Sequence, residues 1–206
     1  GCDRTCGFCA IPSFRGPQRS RDVQSIISEV EQLEAREIVL IAQDLASYGK
    51  DRPDELGAGS IVSLVRQVSS MVDRTRLLYL YPSDLSDGLI DAICESGVPY
   101  FDLSLQHVSK PLLRRMRRWG DGQRFLDRIA DIRKREPDAA FRSNFIVGYP
   151  GETEEDHDQL RDGSKLLQGF KAEPLVPSTV SHLQSDRHCV FSTTGQSRCK
   201  RLGRLV

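Results

Sequence analysis

The 206-residue chain has no apolar run approaching the roughly 20 residues needed to cross a bilayer. It also lacks a secretory signal pattern, since it opens on polar residues and cysteines. Net charge is absent too. The 29 basic and 29 acidic side chains cancel, so bulk electrostatics argue neither for nor against a nucleic-acid partner. Cysteine is scarce: six residues are too few for a disulfide scaffold at this length. No internal repeat stands out. What remains is the composition of an ordinary globular protein, 38% hydrophobic and 28% charged, long enough to bury a core. The expected compartment is the cytoplasm, with no membrane partner.

The few cysteines are unevenly placed. Cys2, Cys6 and Cys9 all fall within the opening stretch "GCDRTCGFCAIPSFRGPQRSR". A structural zinc site usually needs four protein ligands, typically as two CxxC-like pairs. Here a fourth ligand is not local. His107, Cys94, Cys189 or Cys199 could supply it, but none has a partner at knuckle spacing. Three thiolates on a [4Fe–4S] cluster follow a different logic, because the fourth iron stays open to a small ligand. Gly1 and Gly7 would let the backbone wrap closely round so bulky a group. A zinc loop, or three unligated thiols, stays open as the competing reading.

Downstream, helical and strand patterns alternate. "DVQSIISEVEQLEAR" has helical spacing with Asp22 as N-cap, and "EIVLIAQD" reads as a buried strand. "GSIVSLVRQVSSMV" returns to the helical period. "RLLYLYPSD" is a second strand stopped by Pro82, and "LSDGLIDAICESG" a helix closed by Gly97. "YFDLSLQ" is a third strand, followed by helices in "KPLLRRMRRWG" and "GQRFLDRIADIRKRE". "AFRSNFIVGYPGE" is a fourth strand entering a Pro-Gly turn. "TEEDHDQLRDG" then opens a helix with Thr153 and Asp156 as a near capping box. Such alternation implies α/β architecture with parallel strands. The strands look nearly uniformly apolar, as strands covered on both faces must be. A barrel or an open doubly wound sheet follows, and either gathers ligands at the C-terminal ends of its strands. Those ends are Gln43 and Asp44, Pro82 to Asp84, Gln106 and His107, and Gly148 to Glu152. Residues 163–206 carry seven basic against two acidic side chains, and Pro174 and Pro177 interrupt them. No convincing strand is expected there, and poor order is. Cys94, mid-helix, reads as a buried free thiol.

C-x3-C-x-aromatic-C, with Phe8 as the aromatic, resembles the signature of radical S-adenosylmethionine (SAM) enzymes. "CAIPSFRGPQRSR", "VLIAQDLASYG", "FDLSLQHVSKPLLRRMRRWG" and "FRSNFIVGYPGETEEDHDQL" resemble, in order, the motifs of the methylthiotransferases. "SLQHVS" followed by "RRMRRWG" resembles the RimO-type branch, which modifies an aspartate of small-subunit ribosomal protein S-twelve. The tRNA-modifying branch usually has a "QSGS"-like stretch at Gln106-His107-Val108-Ser109. A tRNA adenosine methylthiotransferase and a non-catalytic zinc-binding module are the alternatives.

The resemblance implies a radical SAM core over residues 1–162. Its fold would be a partial (β/α) TIM-like barrel whose first strand is missing because it would lie before Gly1, followed by an atypical tail over 163–206. It implies that Cys2, Cys6 and Cys9 hold a [4Fe–4S] cluster whose open iron takes the amino and carboxylate groups of SAM. Reductive cleavage of SAM then yields a 5′-deoxyadenosyl radical, which takes a hydrogen from the β-carbon of the target aspartate before methylthiolation. The family further has an N-terminal domain with a second [4Fe–4S] cluster and a C-terminal β-barrel, so the chain reads as a fragment expected, alone, to bind at most one cluster and cleave SAM without completing methylthiolation.

Site residues carry over by position. Gln43 would meet the methionine amino group, and Gln106 would make a polar contact to SAM. Arg142, beside Ser143, would pair with a carboxylate. Gly148 to Glu152, with Gly151 in the turn, would lie against the adenosine, and Phe8 would cover the cluster edge or adenine. Beyond SAM, Arg114, Arg115, Arg117 and Arg118 beside Trp119 suggest a ribosomal RNA contact. Arg15, Arg19 and Arg21 would steer an acidic substrate or a phosphate backbone. No residue pattern identifies the electron donor.

Overall fold

A computed structural model describes the backbone of residues 1–57, 60–166 and 170–175 and the side chains of residues 1–57 and 60–162. Five strands carry the architecture: β1 (Glu37–Ile41), β2 (Arg74–Leu80), β3 (Tyr100–Gln106), β4 (Ala140–Ile146) and β5 (Phe170–Leu175). All neighbouring pairs are parallel and the order is β1-β2-β3-β4-β5, so each strand lies beside its successor in the chain. Helices fill the crossovers, giving a partial (β/α) barrel. In chain order they are α1 (Ile11–Arg15), α2 (Val23–Leu33), α3 (Pro53–Leu56), α4 (Ser60–Ser69), α5 (Asp87–Cys94), α6 (Lys110–Arg115), α7 (Gly122–Arg135) and α8 (Glu154–Leu166).

Local chemistry sets the helix starts. Asp22, Ser86, Ser109 and Asp121 each accept a hydrogen bond from the amide three residues on, as N-caps do. Thr153 and Asp156 complete a capping box: the Thr153 amide donates to Asp156 Oδ2 at 3.0 Å, and the Asp156 amide donates to Thr153 Oγ1 at 3.2 Å.

The strands are not uniformly apolar. One set of alternating positions, including Leu40, Leu77, Phe101, Leu103 and Phe141, joins Ile26, Leu64, Leu89 and Ile129 of the helices in a continuous core. The alternate positions are mixed: Glu37, Arg76, Asp102, Ser104, Arg142 and Asn144 are polar, beside Val39, Ile41 and Leu78. Glu37 pairs with Arg74 at 3.1 Å and also with Arg76, while Arg142 reaches Asp102 at 3.5 Å. Helices cover only one face, so the other keeps charge that can find partners across strands.

Two register shifts interrupt the ladder between Leu77 and Leu80 and between Leu103 and Gln106. At them, Tyr79 (φ 62°) and Gln106 (φ 73°) take left-handed backbone, bending the strand tops. A second apolar cluster of Leu112, Met116 and Ile146, packed with Phe8 and Tyr149, sits at those tops.

The expectation of no strand after residue 162 is corrected. Helix α8 runs on to Leu166, and β5 pairs with β4 from Phe141↔Phe170 to Ile146↔Leu175. Pro174 lies on a strand that has a neighbour on one side only among the described residues, the setting in which strand proline is found. The rest of the expected tail, with Pro177, Cys189 and Cys199, lies outside the described residues. Cys94 is free and half-buried against the core, and burial pushes its thiol up. Among the described residues no helix is long and apolar enough to cross a membrane.

Candidate active site

The cysteine loop closes on itself and onto the sheet top. The Cys2 amide donates to the Gly16 carbonyl at 3.1 Å, and the Gln18 amide to Asp3 Oδ1 at 3.0 Å. The Gly7 amide donates to the Met116 carbonyl at 2.8 Å. A Cβ on Gly7 would stand 2.8 Å from the Tyr149 hydroxyl and 3.3 Å from the Arg115 carbonyl, so the loop lies too close to α6 for a larger residue. Phe8 is seated in the small apolar cluster.

Cys2 is buried, while Cys6 and Cys9 are half-buried and free. Burial pushes the Cys2 thiol up, the Arg4 amide on its sulfur partly opposing; Asp44, Cys6 and Cys9 add to the rise. Among the described residues no three His, Cys, Asp or Glu side chains converge tightly enough to hold a single metal ion. A single ion draws its donors to about 2.0–2.6 Å. A four-iron cluster is held instead through separate irons, by thiolates standing further apart, and three soft thiols with no fourth protein donor suit it. The residues present therefore fit a cluster bound at three corners.

Arg4, inside the loop, reaches across to the ends of β1 and β2. Its Nε donates to Asp44 Oδ2 at 2.6 Å, and its Nη2 to Ser47 Oγ at 3.1 Å and to Asp84 Oδ2. Ser47 Oγ also reaches both carboxylates, at 2.9 and 3.0 Å, and Lys50 Nζ meets Asp84 Oδ2 at 2.6 Å. Asp44 Oδ1 is buried with no hydrogen-bond partner among the described residues. Burial alone would raise the Asp84 carboxyl, but Lys50 and Arg4 hold it below the usual carboxylate value. The Arg4 guanidinium also stacks on Tyr81 at 3.9 Å, and that ring carries a second guanidinium, from Arg118, at 4.0 Å.

The β4–α8 turn, "GYPGE", is braced from within. Gly148 (φ 74°) and Gly151 (φ 85°) supply left-handed backbone. Glu152 Oε2 accepts from the Gly148 amide and, at 3.2 Å, from the Tyr149 amide. Glu152 Oε1 faces His107 Nε2 at 3.5 Å. His107 is fully buried, and its Nδ1 accepts from the Ser109 amide at 3.0 Å, which puts the ring proton of the neutral form on Nε2, toward Glu152. Burial pulls the His107 pKa down, with Glu152 partly opposing. Ser109 in turn donates to Asp156, so one carboxylate caps α8 and ties it to the start of α6.

The expected contacts divide accordingly. Phe8, Gln43, Gln106, Gly148 and Gly151 lie on the cysteine loop or at the C-terminal ends of strands, as the sequence predicts. Glu152 turns its carboxylate into its own loop, because two backbone amides there need an acceptor. Arg142 is spent on Asp102 and Tyr100 within the sheet, and Ser143 is buried with its Oγ accepting from the Leu105 amide at 3.3 Å. Both sit mid-strand in β4. The arginine run is not one surface either: Arg114 and Arg117 are exposed, Arg115 donates to the Gly151 carbonyl, and Arg118 turns inward. Sequence reasoning missed Arg4, Ser47 and Tyr81. The available signal was a cation between two ligand cysteines together with two acids at strand ends.

Comparison with known proteins agrees with this geometry. The model of the radical SAM superfamily matches residues 1–162. A ribosomal protein uS12 methylthiotransferase RimO from Acidothermus cellulolyticus is 49% identical over 165 residues, 78% of this chain and 34% of that protein. The protein of the same name from Saccharopolyspora erythraea is 47% identical over 167 residues, 79% of this chain and 34% of its own length. The chain thus spans about a third of the length of these curated relatives. Among solved structures, the radical SAM methyltransferase TsrM from Kitasatospora setae, with cobalamin and a [4Fe–4S] cluster bound, superposes with a TM-score of 0.65. It is 18% identical, and the match covers 84% of this chain and 35% of that one, a likeness of fold alone.

Proposed function

The chain belongs to the radical SAM superfamily, and on that footing we propose that it is the core of a methylthiotransferase acting on the β-carbon of an aspartate in ribosomal protein uS12. The observation that carries the proposal is the three-thiol loop clamped over the strand ends, within a chain 49% identical over 165 residues to a protein of that name. Cys2, Cys6 and Cys9 hold a [4Fe–4S] cluster, leaving one iron for SAM. Bound there, cluster and SAM together supply reductive cleavage of the sulfonium bond.

The chain's own residues bind and shield. Phe8, with Leu112, Met116, Ile146 and Tyr149, keeps water from one side of the loop. Gln43 and Gln106 offer amides to the polar end of SAM. Gly148 and Gly151 let the turn backbone approach its adenosine, and Glu152 holds that turn in shape. A second [4Fe–4S] cluster belongs to the portion of such a protein not represented in these 206 residues, where Cys94, Cys189 and Cys199 are too scattered to form another triad. Arg114 and Arg117, beside the exposed Trp119, would meet ribosomal RNA, and the working compartment is the cytoplasm.

Anaerobic reconstitution with iron and sulfide tests the core of this proposal. The expected product is a brown protein with about four irons per chain that, with dithionite supplied as the electron source, forms 5′-deoxyadenosine and methionine from SAM. Cys6→Ala should lose the cluster. Tight stoichiometric zinc with no SAM cleavage would refute the proposal. Substrate choice is read in the full-length parent, as a methylthio mass gain on uS12 and none on tRNA.

A further inference from the structure

Arg118 has a guanidinium placed from several sides at once. Its Nη1 donates to Cys6 Sγ at 3.5 Å, its Nη2 donates to the Ser104 carbonyl, and its plane stacks on Tyr81 at 4.0 Å. The backbone is shaped to deliver it there. Arg117 takes left-handed φ of 53°, the Arg118 amide donates to the Leu113 carbonyl at 2.8 Å, and the Trp119 amide donates to the Tyr81 hydroxyl at 3.2 Å. The Nε of Arg118 is buried with no hydrogen-bond partner. Half-buried arginines are ordinarily neutralised by a carboxylate. Arg118 has no carboxylate within ion-pair range among the described residues, so its positive charge is directed at a cysteine sulfur.

We propose that Arg118 is a positioning residue that sets the reduction potential of the cluster held by Cys2, Cys6 and Cys9. The inference rests on the cluster assignment above. Adding an electron makes the cluster more negative, so a fixed cation with an N–H on a ligand sulfur stabilises the reduced form more than the oxidised one. Hydrogen bonds to sulfur and local charge are established levers on such potentials. Partial burial weakens solvent screening of this charge. Arginine suits the task because its charge does not titrate away and its planar fork reaches Cys6 and Ser104 together.

The test is an EPR-monitored redox titration of the reconstituted chain as wild type, Arg118→Gln, Arg118→Met and Arg66→Gln. Arg66 is an exposed cation on α4 and controls for net charge. At one fixed solution potential, Arg118→Gln should lower the reduced-to-oxidised ratio at least tenfold, about 59 mV for one electron. Arg118→Met, neutral with a similar stem, should do the same, and Arg66→Gln should leave the ratio unchanged. A ratio within twofold of wild type in both Arg118 variants would overturn the inference. So would loss of the cluster, or of the fold, in both, because Arg118 would then hold the loop rather than tune it. A wild-type chain that takes up no iron–sulfur cluster would instead refute the cluster assignment itself.

Discussion

Replacing Arg4 by alanine removes the cation on which Asp44 and Asp84 converge. The side chain of Asp44 is 4% exposed and that of Asp84 15%, so neither carboxylate can turn to water without moving the loop. Breaking a buried ion pair by deleting one partner costs about 3–5 kcal/mol. Arg4 itself is 28% exposed, and Ser47 and Lys50 remain in place, so solvent screening brings the loss to or just below the bottom of that scale, about 2–3 kcal/mol. Urea unfolding followed by circular dichroism near pH 7 should show that loss as a lower midpoint at unchanged slope. The double variant with Asp44→Asn should be less destabilised than the sum of the singles, because the stranded charge is gone.

The effect carries a pH signature. The Asp84 carboxyl is held below its ordinary value in the folded chain, so its contribution is complete above the unfolded value of about 3.9 and fades as pH falls through the folded one. The gap between wild type and variant should therefore be full at pH 7 and shrink below about pH 4. A loss under about 1 kcal/mol, the worth of an exposed pair, would refute the idea that charge holds the loop.

Three further outcomes follow from other parts of the structure. His107 is kept neutral by burial, with Glu152, Asp156 and His157 around it; its lowered folded pKa gives stability that is complete above about 6.5 and lost as pH falls. The melting temperature should thus drop between pH 7 and 5.5 in wild type and stay flatter in His107→Gln; parallel curves would exclude His107 as the source. Gly97 has φ 78°, and a Cβ there would lie 2.1 Å from the Asp73 carbonyl oxygen, so Gly97→Ala should cost more than the roughly 1–2 kcal/mol of left-handed backbone alone. Gly88→Ala, inside α5 with no side chain nearer than 3.8 Å, should gain about 0.5–1 kcal/mol in the same denaturation assay.

What could be read in the chain was what local rules encode. Asp22 and the Thr153–Asp156 box announce their helices within four residues, and the four strands before residue 162 stand where apolar β-branched or aromatic runs placed them. The three cysteines declare themselves by spacing alone. What could not be read depends on partners distant in sequence. Arg4 meets Asp44 and Asp84, 40 and 80 residues away, and nothing in "DRTC" says so. The inward turn of Arg118 follows from left-handed backbone at Arg117, which the stretch "RRMRR" conceals. Arg142 pairs with Asp102, which the β3–β4 register sets beside it. β5 was invisible because Pro174 and a basic tail outweighed the pairing that β4 offers.

The strand order has a consequence for synthesis. With β1 to β5 laid down in sequence, each strand leaving the ribosome can dock on the one just finished, with no gap held open for a later element. The cysteine segment follows the opposite schedule. It is made before β1, yet its props arrive in turn: Asp44 after β1, Asp84 after β2, Met116 and Arg118 after β3, and Tyr149 after β4. At about 5–20 residues per second, three thiols spend seconds without the contacts that later fence them in.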